Sequence, residues 1–299
     1  MGIREEIKAT YKSEDTEEPI DIYFYRPIGY IWAVGAKKVG ITPNMITIAS
    51  IFIGMFAGVL FYYPSLKINI AGMLLLVLAN SFDSADGQLA RMTGNKTQLG
   101  RILDGLAGDL WFIVIYVVLV LKCLNQGWDW YIWIIGSLAG ASHVLHAAMA
   151  DYYRNIHLYF MKGDDGSEHH NSKIVSAEYD KLSWGKNFIK KLMLFFYRNY
   201  TRQQEMLTPN FQKFMAKLAS KYPNHNYPAE LRNEFVSLSK PLMKYTNILQ
   251  FNTRVLFLFF SLIINKPYLY FFFDLIVLNG VMIYMITKHE KICKKLIPQ

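Results

Sequence analysis

Six stretches of this chain are long and apolar enough to cross a bilayer: 46–63, 68–82, 102–121, 130–150, 247–265 and 267–287. A hydrocarbon core about 30 Å thick takes roughly 20 apolar residues in a helix. Inside lipid the backbone satisfies its polar groups only in helices or closed barrels. The pattern therefore specifies an all-α polytopic membrane protein with six transmembrane helices. Composition agrees: 53% of residues are hydrophobic and 18% charged, against about 25% charged in soluble domains. The two cysteines, Cys123 and Cys293, form no CxxC pair, which excludes a disulfide scaffold and a zinc ribbon. The first residues hold no apolar run of the kind a cleaved signal peptide carries, and Glu6 breaks the myristoylation pattern.

Lysine and arginine set the orientation. The turns after spans one, three and five hold Lys67, Lys122 and Lys266, while nearly all other basic residues fall in the alternate segments. Both termini are thus expected in the cytoplasm (at the inner membrane, if the cell is bacterial). The net charge of +9 then faces anionic lipid rather than nucleic acid. Residues 1–42 form a cytoplasmic segment whose 23–39 stretch interleaves Tyr23, Tyr25, Ile28, Ile31 and Trp32 with Arg26, Lys37 and Lys38, the pattern of an amphipathic helix on the membrane surface. Residues 43–154 hold spans one to four, and 245–299 hold spans five and six with a basic tail. The 155–244 insert between them is too long for an unstructured loop and reads as cytoplasmic helices. His169–His170 reads as a solvated loop rather than a metal site.

Acids cluster where the hydrocarbon should end. The run Asp83-Ser84-Ala85-Asp86-Gly87-Gln88-Leu89-Ala90-Arg91 is followed, after eight residues, by Gly100-Arg101-Ile102-Leu103-Asp104. Intramembrane acids point to function. Asp83 and Asp86 share a helix face, about 4.5 Å apart along the axis. Asp104 opens the next span from the same side. Such carboxylates suit hard cations, Mg²⁺ or Mn²⁺, as a pair of ions. Gly87 and Ala90 keep the face low, and Arg91 offers a fork to phosphate. Ahead of span one, Thr42 suits an N-cap and Pro43 the first helical position.

The pattern Asp83-x2-Asp86-Gly87-x2-Ala90-Arg91-x8-Gly100-x3-Asp104, with Thr42-Pro43-Asn44 at the entry to span one, resembles the CDP-alcohol phosphotransferases. The resemblance implies a reaction: a hydroxyl attacks the phosphorus of a CDP-linked alcohol and CMP leaves. It implies Asp83, Asp86 and Asp104 as metal ligands, and Asn44, Asp83, Gly87, Ala90, Arg91 and Gly100 around the cytidine diphosphate. It also implies a homodimer. The insert is not part of the shared pattern.

The family's fourth Asp, a metal ligand and the base, falls at position 108. This chain has Gly108 with Asp109 beside it. Either a π-bulge returns Asp109 to the site, or a regular helix leaves a gap at Gly108. An Asp facing lipid is costly, so we expect Asp109 as metal ligand or base, with Asp104 or a metal-bound water taking the proton in the regular case. Arg154 and Arg254, at the inner ends of spans four and five, are candidates to clamp an acceptor phosphate, although inner-end arginines also snorkel to headgroups. His143 and His146 read as packed polar residues, and Asp274 as a helix contact. The expected activity is transfer of a phosphatidyl group from CDP-diacylglycerol to a small polar alcohol such as inositol phosphate, glycerol phosphate or inositol. The alternatives are transfer from CDP-choline or CDP-ethanolamine to diacylglycerol, and a CDP-lipid binder that does not turn over.

Overall fold

The computed structural model describes residues 5, 13, 15–94, 98–163, 172–185, 187–223 and 226–297, without the side chains at 98, 99, 101–104, 106 and 189. Every regular element among them is helical. Among the described residues six helical runs are long and apolar enough to cross a membrane: Pro43–Leu60, Leu66–Thr93, Ala107–Asn125, Ile132–Lys162, Ala229–Ile263 and Tyr268–Leu296. The chain divides into two compact units, Met1–Val144 with Phe251–Val277, and Leu145–Gln250 with Leu278–Gln299.

The first unit begins with a π-helical turn, Asp21–Tyr25, leading into α1, Arg26–Lys38. The expected surface helix is thus helical, but its buried face is small: Gly29, Ala33 and Ala36. These residues let α1 approach α3, Leu66–Thr93, so closely that a Cβ on Gly29 would stand 3.1 Å from the Ala85 nitrogen. Gln88 Nε2 donates to the Arg26 carbonyl at 3.0 Å and ties the two helices. Ile31 and Trp32 are exposed.

Helix α2, Pro43–Leu60, packs against both α3 and α4, Gln98–Asn125. Glycine makes that approach possible: a Cβ on Gly54 would lie 2.4 Å from the Trp111 indole, and one on Gly58 3.1 Å from Ile115. Close van der Waals packing at small residues is what holds helices together in lipid. Lys122, read from sequence as a loop charge, is buried; its Nζ donates to the Phe61 and Tyr63 carbonyls, each at 3.0 Å. It thereby satisfies carbonyls at the end of α2 that have no helical partner. α3 ends at Gly94, whose φ of 69° is the left-handed cap that glycine supplies.

Helix α5, Ile132–Lys162, runs from the first unit into the second. There the 155–244 stretch continues α5 and adds α6 (Ser172–Asp180), α7 (Phe188–Leu207), α8 (Pro209–Lys221) and α9 (Ala229–Ser239). After a 3-10 turn come α10, Met243–Ile248, and α11, Phe251–Ile263. The chain then returns through α12, Tyr268–Phe272, a π-helical Phe273–Leu278, and α13, Asn279–Leu296. Phe160, Phe214 and Phe235 stack at the centre of the second unit. Distant side chains close its helix ends. Arg232 donates to the Phe160 and Met161 carbonyls at 3.0 and 3.2 Å. The Glu290 carboxylate accepts the first free N–H groups of α8, from Asn210 at 2.6 Å and Phe211 at 3.2 Å, and Glu205 accepts from Ser172 N at 2.8 Å.

Candidate active site

The acid cluster lies on the last turns of α3, beyond the apolar part of that helix. Asp86 is buried, and Thr47 of α2 lies against it, Oγ1 to Oδ2 2.5 Å. The same hydroxyl is 3.1 Å from the Pro43 carbonyl. With one proton to give, it donates to the closer, charged acceptor. Thr47 is a site residue the motif spacing does not reveal; its only sequence signal is a hydroxyl one turn into an otherwise apolar span. Asp83 is half-buried one turn before Asp86. Gly87 leaves room for Arg91: an added Cβ would lie 3.5 Å from the guanidinium. Thr42 occupies the N-cap of α2 in extended conformation and Pro43 follows at the first helical position, but the Thr42 side chain makes no capping bond. Asn44, in the first turn of α2, is half-buried.

On α4 lie Gly105 and Gly108, and a Cβ on either would meet nothing within 4 Å. This part of α4 borders open space. Gly100 is half-buried, and the Asp104 side chain lies outside the described residues. Hard carboxylate oxygens on one helix face, one of them fixed by a hydroxyl, fit a Mg²⁺- or Mn²⁺-type ion.

Residues 40–160, from the approach to α2 almost to the end of α5, match the family model described as CDP-alcohol phosphatidyltransferase. This segment is similar to the CDP-alcohol phosphatidyltransferases over about 40% of the chain. A bifunctional IPC transferase and DIPP synthase from Aquifex aeolicus (strain VF5) is 28% identical over 107 residues, 36% of this chain and 24% of that protein. The chain therefore spans about a quarter of that relative's length.

Within residues 40–160 the geometry of α4 bears on the fourth carboxylate. Gln98–Asn125 is α-helical throughout, with no π turn between Asp104 and Asp109. Position 109 then stands about 140° from Asp104 and position 108 about 40°. Side-chain packing follows the same division. Gly108 begins the stripe that continues through Trp111 and Ile115, against Gly54 and Gly58 of α2. Asp109, half-buried, begins the stripe of Phe112 and Tyr116, whose rings lie 4.3 Å from His143 and 5.6 Å from Tyr270. Among the described residues π-helical turns occur elsewhere, at Asp21–Tyr25 and at Phe273–Leu278, and the second contains Asp274.

Asp274 accounts for Arg254. Both are buried, and Arg254 Nη1 donates to Asp274 Oδ1 at 2.6 Å. The Tyr116 hydroxyl donates to the other carboxylate oxygen. The helix-contact reading of Asp274 holds, and the guanidinium expected to clamp an acceptor phosphate is committed to this ion pair. Arg154 is half-buried in the part of α5 that belongs to the second unit. His146 Nε2 is 2.9 Å from Asn279 Oδ1 and His143 packs on Phe112, both packed polar residues as expected. His169 and His170 lie outside the described residues. In the second unit His289, Glu290 and Cys293 offer ligand atoms within 4.8 Å of one another. Glu290 caps α8, and Cys293 Sγ sits 3.5 Å from His289 Nδ1.

Proposed function

We propose that this protein transfers a phosphatidyl group from CDP-diacylglycerol to a small polar alcohol, with release of CMP. The supporting observation is the seating of Asp86, a buried carboxylate fixed by Thr47 on the helix face it shares with Asp83. Asp83, Asp86 and Asp104 would hold a divalent ion pair, Mg²⁺ or Mn²⁺. When bound, such ions neutralise the diphosphate and the leaving phosphate. Asn44, Gly87, Ala90, Arg91 and Gly100 take the cytidine diphosphate, Arg91 pairing with a phosphate as a planar fork. The acceptor hydroxyl oxygen forms a bond to the phosphorus that carries the diacylglycerol group. The bond from that phosphorus to the CMP oxygen breaks, CMP departs with the electron pair, and the hydroxyl proton passes to Asp104. We assign the proton to Asp104 rather than Asp109 because a regular α4 turns Asp109 away.

Both termini and this site are proposed to face the cytoplasm, with α1 at the membrane surface and the chain acting as a homodimer. A second reading is favoured by Gly108 itself: without a carboxylate there, the domain binds CDP-lipid and does not turn it over. One experiment separates the two. Purified protein is incubated with CDP-diacylglycerol, Mg²⁺ or Mn²⁺ and a panel of alcohols, and CMP and new lipid are measured by mass spectrometry. Metal-dependent CMP release lost by more than about tenfold in Asp83→Ala, Asp86→Ala and Asp104→Ala is the expected result. Tenfold is only about 1.4 kcal/mol, so a smaller loss in any one would contradict a shared metal site. Binding without release would establish the second reading.

A further inference from the structure

The second unit contains a groove of about 500 Å³ between α13 and the segment of α9 and α10. Lys288, Lys291 and Lys295 line it from α13, at i, i+3 and i+7, so they share one helix face. Lys244 lines it from the α10 side. All four lysines are exposed. Tyr245 and Tyr284 form an apolar wall, their ring centroids 5.0 Å apart. Lys244 Nζ lies 4.9 Å from the Tyr245 centroid and Lys288 Nζ 5.4 Å from that of Tyr284. Glu234 reaches Lys295 at 4.0 Å, an exposed pair that offsets little of the charge. Four cations around one groove repel one another, and a bound anion relieves that repulsion.

The position along the chain identifies the class of anion. The apolar run of span six ends at 287, and the lysines follow at once. Tyrosines at a span's end with lysines just beyond are the arrangement found at headgroup level. Leu238, Leu242 and Ile292 also line the groove, so it offers apolar surface beside the lysines. A soluble phosphate would use the lysines alone; a phospholipid uses the lysines, the tyrosine wall and the apolar surface together.

We propose that this groove binds an anionic phospholipid, its phosphate among Lys244, Lys288, Lys291 and Lys295 and its glycerol and acyl portion against Tyr245 and Tyr284. The site lies outside the matched residues 40–160 and does not depend on the activity proposed for them. The test titrates detergent-solubilised full-length protein with phosphatidylglycerol or phosphatidylcholine and counts bound lipid by native mass spectrometry. Near a membrane each lysine is worth about fivefold in affinity, so Lys288→Gln/Lys291→Gln should weaken phosphatidylglycerol binding by roughly 30-fold. Lys288→Arg/Lys291→Arg should retain it. Lys213→Gln/Lys294→Gln, an equal charge change on exposed lysines that do not line the groove, should leave it within about twofold. Equal loss in both Gln pairs would reduce the effect to diffuse charge and overturn the proposal. So would wild-type binding in Lys288→Gln/Lys291→Gln, equal uptake of phosphatidylcholine, or displacement of the lipid by millimolar inorganic phosphate.

Discussion

The strongest test of the site is to move its fourth carboxylate. In Gly108→Asp/Asp109→Leu the acid passes from the Phe112 stripe to the stripe facing α2, about 6 Å along the axis and about 40° round from Asp104. The structure accommodates the change, since a Cβ at 108 meets nothing within 4 Å. Replacing an interior helix glycine gains a few tenths of a kcal/mol, and the span carries one carboxylate before and after, so the cost of inserting it is nearly unchanged. The variant should therefore fold at least as well as the parent. A positioned general base contributes about 10²- to 10⁴-fold, the lower figure being about 2.7 kcal/mol of barrier. CMP release under saturating CDP-diacylglycerol is the assay. We expect the variant to exceed the parent by tenfold or more, and Asp109→Asn to stay within about threefold of it. If Asp109→Asn instead lost about a hundredfold with the melting temperature unchanged, Asp109 would be in the chemistry. The assignment of facing from a regular α4 would then be wrong.

Other expectations are more local. Thr47→Val removes the hydroxyl that orients Asp86; a hydrogen bond to a charged group is worth about 1.5–3 kcal/mol, so kcat/KM should fall about ten- to a hundredfold while Thr47→Ser keeps most of it. Arg254→Leu leaves a buried carboxylate at Asp274 and should cost about 3–5 kcal/mol in thermal unfolding, most of it recovered in Arg254→Leu/Asp274→Leu; additive single effects would mean the pair is not coupled. For topology, Lys96→Cys and Asp180→Cys should resist an impermeant thiol reagent in intact cells and react after lysis; labelling at either before lysis would contradict the cytoplasmic placement.

What could be read in the sequence was whatever depends on spacing along one helix. The spans follow from runs of apolar residues, the start of α2 from Pro43, and the shared face of Asp83 and Asp86 from an i, i+3 interval. α3 continues as helix past the end of its apolar run because Ala85, Gln88, Leu89 and Ala90 are helix formers. Partnerships between helices were not legible. Arg254 and Asp274 stand twenty positions apart and each admits a reading alone, as phosphate clamp and as helix contact. That they meet in an ion pair is seen only in the structure. Lys122 counts as an outer-turn charge until its ammonium is found on the Phe61 and Tyr63 carbonyls. That correction bears on orientation. A lysine bound to carbonyls is not a free loop charge, so the turns after spans one, three and five carry fewer solvated cations than a bare count gives. The asymmetry behind the proposed cytoplasmic placement of both termini becomes steeper. The same reasoning applies to Asp109. Its neighbour in sequence is a glycine of the motif stripe, but its neighbours along the helix face are Phe112 and Tyr116. The one-residue displacement from the family pattern is therefore a change of helix face, and kinetics at 108 and 109 will read it as such.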